Sequence, residues 1–228
     1  MELLILIRHI LMNNLPFFHI HRKSNIENTP SPLIIMVHGY GSNEQDLFSF
    51  SRAIPEKFTI ISLRGDLEIQ NNGYAWYNIS LDFNGNKNYD TKKAIESRNK
   101  IFKSIEICKE KYNIDNDNVT LMGFSQGSML VNAVALTYPN QIRNVVSLSG
   151  AFDPNIINLS NSDSLRNLSF YVSHGLNDEI LPFEVSKESL KILEENNINH
   201  VFEEYPIGHG VSPENFKSML SWLIEKTN

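Results

Sequence analysis

Five short stretches of nearly unbroken apolar residues, at 33–37, 58–62, 119–122, 145–148 and 168–173, constrain this chain more than any other feature. The first reads Leu33-Ile34-Ile35-Met36-Val37, with Pro32 before it and Gly39 soon after. A strand that is apolar on both faces has to be covered on both faces, which points to the interior of a largely parallel sheet. A weaker alternating run at 201–205 predicts an edge strand, and 17–21 predicts another that enters the sheet ahead of the first buried run.

Between these runs the period changes. Over 91–112 the residues Ile95, Phe102, Ile105, Cys108 and Tyr112 recur at steps of three, four and seven, with Lys and Glu on the other face. Helices are also predicted over 126–138, 183–196 and 213–226, the last with Ser212 as N-cap and Pro213 at its first position. Strands alternating with helices define the α/β class, a mostly parallel central sheet with helices on both faces. The segment 66–88 breaks the alternation. It is rich in Asn, Gly and aromatic residues and reads as a long surface excursion.

At 228 residues the chain fits one domain, expected over 12–228. The Leu- and Ile-rich residues 1–11 are too few to span a bilayer and lack the flanks of a secretory signal. They are expected to be an extension outside the fold, with translation starting at Met12. A balance of 20 Lys+Arg against 26 Asp+Glu, net −6, has the wrong sign for binding a phosphate backbone, so no nucleic-acid partner is expected. The single cysteine, Cys108, rules out an internal disulfide and a Cys-rich metal site, which makes the cytoplasm the expected compartment. No basic amphipathic stripe suggests stable membrane association. The oligomeric state is left open.

The chemistry begins at Gly123-Phe124-Ser125-Gln126-Gly127, a G-x-S-x-G string directly after one predicted strand and directly before a predicted helix. Elsewhere such a pentapeptide is an ordinary Gly-flanked turn with a capping serine. Between a strand and a helix it forms a sharp turn that lifts the Ser125 hydroxyl clear of the sheet edge. A serine needs a base, and the base needs an orienting carboxylate, in the chain order Ser, Asp or Glu, His. Asp178, in His174-Gly175-Leu176-Asn177-Asp178, and His209, in Gly208-His209-Gly210, both follow strand ends and satisfy that order. Asp153, Asp163 and Glu179 are rival carboxylates. His38 and His174 read as buried imidazoles bonded to loop backbone. His19 and His21 share a strand face, but two ligands without a third do not make a metal site, and no metal is expected.

Acyl transfer also needs donors for an oxyanion. Those expected are the backbone N–H groups of Gln126 and of Tyr40, the latter in His38-Gly39-Tyr40-Gly41. The competing dinucleotide fingerprint fails because Glu44 stands where its third glycine belongs, and no Walker phosphate loop occurs.

Taken in order, His38-Gly39-Tyr40-Gly41, Gly73-Tyr74-Ala75-Trp76-Tyr77, Gly123-Phe124-Ser125-Gln126-Gly127, His174-Gly175-Leu176-Asn177-Asp178 and Gly208-His209-Gly210 resemble the carboxylesterase/phospholipase family of α/β-hydrolases. That family includes small bacterial carboxylesterases and the acyl-protein thioesterases. The resemblance implies an α/β-hydrolase fold, a Ser125–Asp178–His209 triad, Gly39 at the substrate site and an aromatic loop whose Trp76 lines the acyl pocket. Ser42 and Ser128 depart from the thioesterase pattern, which has Asp and Gly there, and bring the chain closer to the bacterial carboxylesterases. The expected activity is hydrolysis of small carboxylic esters through an acyl-enzyme on Ser125, with no cofactor. Thioesters, including acylated proteins, are the runner-up and lysophospholipids rank lower. A non-catalytic binding module with an idle triad is the alternative of a different class.

Overall fold

The computed structural model describes residues 14–81, 87–161 and 163–227, so the extension expected at 1–11 lies outside the described residues. Among these, the strands are β1 (His19–Arg22), β2 (Ser31–Val37), β3 (Thr59–Leu63), β4 (Leu67–Ile69), β5 (Gly73–Ala75), β6 (Ile79–Leu81), β7 (Lys87–Tyr89), β8 (Ile114–Phe124), β9 (Asn144–Leu148), β10 (Ser169–Gly175) and β11 (Asn199–Tyr205). The α-helices are α1 (Gln45–Phe48), α2 (Thr91–Lys111), α3 (Gln126–Thr137), α4 (Phe183–Ser189), α5 (Lys191–Glu195) and α6 (Pro213–Lys226).

Seven strands form one sheet in the order β1-β3-β2-β8-β9-β10-β11. All neighbours are parallel except β1, which runs antiparallel to β3 at one edge. The five apolar runs are its five inner strands, and the two weaker ones are its two edges. Along β2 the side chains of Leu33, Ile35 and Val37 enter one hydrophobic core while those of Ile34 and Met36 enter a second on the opposite face. The first core is covered by α2 and α3 and the second by α6, whose Met219, Trp222 and Leu223 point inward. This two-sided burial is why the inner strands carry no polar alternation.

Helix α2 matches the expected span but not the expected face. Ala94, Ser97, Arg98, Ile101 and Ser104 are buried along with Ile105 and Cys108, whereas Ile95, Phe102 and Tyr112 are only partly buried. Asp90 caps this helix by accepting from the Lys93 N–H, as Ser212 caps α6 by accepting from the Asn215 N–H. The helix predicted over 183–196 is two helices, α4 and α5, meeting at Leu190. The described residues of the excursion 66–88 form more regular structure than a surface loop. They include the small antiparallel pair β4–β5 and the start of β6–β7, and Ala75 at the end of β5, with Trp76 and Tyr77 after it, is buried.

Candidate active site

Strand β8 delivers the chain to Ser125 at the carboxyl edge of the sheet, and α3 begins at the next residue. Ser125 holds φ +53° and ψ −117°, a conformation that costs a non-glycine residue about 1–3 kcal/mol and persists only when its surroundings enforce it. The enforcement is visible two residues on. A Cβ at Gly127 would lie 2.0 Å from the Val37 carbonyl oxygen, so only glycine lets α3 press this closely against the end of β2. The Ser125 N–H donates to the Leu148 carbonyl at 2.9 Å, which ties the turn to β9.

Two further loops at the same edge bring the expected partners. The His209 Nδ1–H donates to Asp178 Oδ2 at 2.7 Å, which leaves Nε2 bare to accept the Ser125 hydroxyl at 2.8 Å. The Asp178 side chain is fully buried, and its other oxygen accepts the N–H groups of Ile180 and Leu181, each at 2.9 Å. Burial alone would raise the Asp178 carboxyl. The His209 bond and the two backbone donors outweigh it and hold the group below the ordinary aspartate value. The Phe124 ring lies 5.0 Å from the His209 ring and walls its flank. Ser149, buried at φ +49°, donates its hydroxyl to the Gly210 carbonyl at 3.3 Å, bracing the loop that carries His209.

The rival carboxylates are placed elsewhere or occupied otherwise. Asp163 opens the 3₁₀ turn that precedes β10, at the amino edge of the sheet. Glu179 points to solvent, and Asp153 accepts the Tyr89 hydroxyl and the Asn155 amides.

The loop after β2 passes beside Ser125, close enough that a Cβ on Gly39 would sit 3.4 Å from the Ser125 Cβ. Tyr40 lies in this loop with 43% of its surface exposed. Gln126 is the first residue of α3, so its N–H has no intrahelical acceptor, while its side chain is spent on the excursion. The Gln126 Oε1 accepts the Trp76 N–H at 3.0 Å, and its Nε2–H donates to the Tyr77 carbonyl at 2.8 Å.

Trp76 therefore differs from the expectation that it lines an acyl pocket. It is 0% exposed, stands edge-on to Phe17 at 5.0 Å and donates its Nε1–H to the His38 carbonyl at 2.8 Å. The indole fills the core behind the Gly39–Tyr40 loop, because its one polar atom finds its acceptor there. His38, as expected, bonds only to backbone: Nδ1–H donates to the Gly39 carbonyl at 2.7 Å and Nε2 accepts the Gly65 N–H at 3.0 Å. Sequence reasoning missed the pair that anchors the far end of this loop. Glu44, 2% exposed, accepts a two-pronged bond from Arg64, whose guanidinium also lies between the rings of Phe18 and Tyr74 at 4.2 and 4.5 Å. No local signal marks that pair.

His19 and His21 lie on the edge strand β1 with their rings 6.4 Å apart. Among the described residues no group of three or more His, Cys, Asp and Glu is placed to hold a metal ion, and no helix is long and apolar enough to cross a membrane.

The doubly covered parallel sheet, with a strained serine at its carboxyl edge and a histidine and an aspartate on later loops, is an α/β-hydrolase fold. Its likeness to a crystallised carboxylesterase from Bacillus cereus spans 96% of this chain and 98% of that one, with a TM-score of 0.80 at 20% identity. The profile of the Phospholipase/Carboxylesterase family matches residues 20–227, and the chain belongs to that family. Curated relatives include a probable carboxylesterase, SOBER1-like, from Arabidopsis thaliana, 33% identical over 50% of this chain and 44% of that protein. Another is acyl-protein thioesterase 1 of Aspergillus fumigatus, 29% identical over 48% of each chain. In these matches the chain spans about half the length of the relative or less.

Proposed function

We propose that this chain is a serine hydrolase of small carboxylic esters that works through an acyl-enzyme on Ser125. The observation that carries the reading is the unbroken relay at the strained turn, Ser125 Oγ–H to His209 Nε2 at 2.8 Å and His209 Nδ1–H to Asp178 at 2.7 Å. His209 takes the hydroxyl proton as Ser125 Oγ attacks the acyl carbon, and the buried Asp178 carboxylate fixes the tautomer and stabilises the imidazolium. The oxyanion that develops takes hydrogen bonds from the N–H groups of Gln126 and Tyr40, with Gly39 giving the substrate room beside Ser125. Collapse returns the proton from His209 to the leaving group, and water activated by the same imidazole then releases the acid. Trp76, through its bonds to the Gln126 side chain and the His38 carbonyl, sets the spacing of the two donor loops.

Thioester hydrolysis is the second reading, supported by the Aspergillus fumigatus acyl-protein thioesterase among the relatives. The same relay serves both, since a thiolate leaves more readily than an alkoxide. The cytoplasm remains the proposed location, consistent with one buried cysteine whose thiol burial pushes up to about 12.

The test compares hydrolysis of p-nitrophenyl acetate and butyrate by the purified chain with that by Ser125→Ala, alongside labelling by a fluorophosphonate. A loss of at least about 10³-fold in turnover, with the label on Ser125, is expected. Equal rates in the two proteins would end the esterase reading and leave the binding-module alternative. Thioesters of graded chain length then separate the two substrate classes.

A further inference from the structure

His174 sits at the end of β10, four residues before Asp178, with both side chains fully buried. Its Nε2 lies 2.8 Å from the Leu181 carbonyl oxygen and 3.2 Å from Asp178 Oδ2. Its Nδ1 is buried with no hydrogen-bond partner among the described residues. These contacts fix the tautomer. A proton on Nδ1 would be a buried donor without an acceptor and would turn a bare Nε2 lone pair toward two oxygens, whereas a proton on Nε2 donates to the Leu181 carbonyl with the carboxylate beside it.

The carboxylate thus accepts three hydrogen bonds and has the His174 Nε2 as a fourth close neighbour. Oδ1 accepts the Ile180 and Leu181 N–H groups, and Oδ2 accepts the His209 Nδ1–H at 2.7 Å, with the His174 Nε2 lying 3.2 Å away and its proton directed to the Leu181 carbonyl. Because Leu181 both donates to Oδ1 and accepts from His174, the 178–181 turn is closed from the His174 side onto its own carboxylate. The Phe183 ring, 6.3 Å from the imidazole, is the aromatic neighbour of this arrangement.

We propose that His174 is a positioning residue for the reaction: its Nε2–H, bonded to the Leu181 carbonyl and lying against Asp178 Oδ2, fixes the 178–181 turn and with it the carboxylate in the plane from which it receives His209. The proposal rests on the reading of Ser125, His209 and Asp178 as the reacting set. His174 touches neither substrate nor the serine and acts through Asp178 alone. Without its proton, the Leu181 carbonyl loses its partner, Oδ2 loses the positive end of a dipole 3.2 Å away, and the carboxylate gains freedom to rotate away from the imidazole.

Two variants separate this role from mere packing. His174→Gln keeps an N–H near the reach of Nε2, and His174→Met keeps the length and removes the donor. For His174→Met, kcat is expected to fall about tenfold with KM within about twofold, and fluorophosphonate labelling of Ser125 should slow in parallel. His174→Gln should recover most of that loss. Equal kcat in wild type and His174→Met, or equal losses in Met and Gln variants of unchanged thermal midpoint, would overturn the assignment. A readout independent of turnover is the ¹H–¹⁵N spectrum of histidine side chains in the wild-type chain. It should show His174 protonated at Nε2 and bare at Nδ1, and the His209 Nδ1–H resonance should move in His174→Met. A proton on His174 Nδ1, or an unmoved His209 resonance, would refute the coupling even if a variant failed to fold. Wild-type turnover in Ser125→Ala would instead overturn the esterase reading, and the spectra would still decide the contact between His174 and Asp178.

Discussion

The sequence uses the same dipeptide at the ends of two parallel strands: β2 runs into His38-Gly39 and β10 closes on His174-Gly175. Both imidazoles are buried at the carboxyl edge of the sheet, 1% and 2% exposed. Their bonding differs. His38 uses both nitrogens on backbone, the Gly39 carbonyl and the Gly65 N–H, and so joins the loop after β2 to the chain leaving β3. His174 bonds through one nitrogen to a backbone carbonyl, with the carboxylate that orients His209 3.2 Å from the same atom, and its other nitrogen has no partner among the described residues. A histidine and a glycine at a strand end therefore settle burial and a turn. Which chemistry follows is decided by the third segment that reaches the ring: residues 64–65 in one case, the 178–181 turn in the other.

The glycines offer the strongest way to break this comparison. A Cβ on Gly175 would fall 2.2 Å from the Gly208 carbonyl oxygen and 2.5 Å from that of Ile207, backbone of the segment that leads directly into His209. A Cβ on Gly39 would meet the Phe124 ring at 2.9 Å, a side-chain edge that can turn aside. Gly175→Ala should therefore displace His209 and lower kcat by about 10²-fold, whereas Gly39→Ala should cost about tenfold or less. Steady-state kinetics of the two variants on one p-nitrophenyl ester decides it, and a larger loss at Gly39 would reverse the ranking of the two loops.

Next in size is an opposed pair of effects at the histidines themselves. His38→Met leaves the Gly39 carbonyl and the Gly65 N–H buried without their partner, at about 1–3 kcal/mol for each group. For a chain of this length that corresponds to a fall of roughly 5–15 °C in thermal midpoint. His174→Met should move the midpoint less and kcat more. Melting curves and turnover measured on both variants would dissolve the distinction if each residue changed both quantities alike.

How much of this was legible in the sequence follows from where the determining contacts lie. The inner strands were readable because two-sided burial leaves an uninterrupted apolar run, and Ser125 was readable because its turn is imposed by glycines within two residues. Asp178 and His209 were reached through chain order, since each lies on a loop past the carboxyl end of a parallel strand. The burial of Trp76 is not legible locally, because it depends on Gln126, His38 and Phe17, none of them near it in sequence. The Glu44–Arg64 pair and the approach of His174 to Asp178 are likewise products of packing. The break between α4 and α5 carries no Gly or Pro to announce it. It is a local change of hydrogen bonding, with the Leu190 N–H donating to the Lys187 carbonyl three residues back and Leu190 itself still helical. Arg98 is buried on α2 because its guanidinium donates to the Ile156 carbonyl at 2.7 Å, a partner that helical periodicity cannot supply.

The smallest expected difference between the two loops is in pH dependence, and its sign follows from which form each loop favours. Burial is the main cause that lowers His38 from its ordinary value of 6.5, outweighing the bond to the Gly39 carbonyl that raises it. The unfolded chain therefore takes up a proton at His38 more readily than the folded one, and stability contributed there is lost as pH falls below about 6.5. Asp178 is held below its ordinary value by His209 and the turn amides, against burial. Its contribution is present above the ordinary aspartate range and is lost only as pH falls through the lower folded-state value. The β2 loop thus weakens first on acidification and the β10 loop later. Each pH unit over which the unfolded state holds one extra proton costs about 1.4 kcal/mol, which bounds the slope from either group. Urea unfolding of wild type and His38→Gln at pH 7.5 and 5.5 should show a shallower loss in the variant. Some slope should remain, since His19 is also lowered, chiefly by burial, and is untouched by the substitution. Parallel curves for the two proteins would place the proton uptake outside the loop after β2.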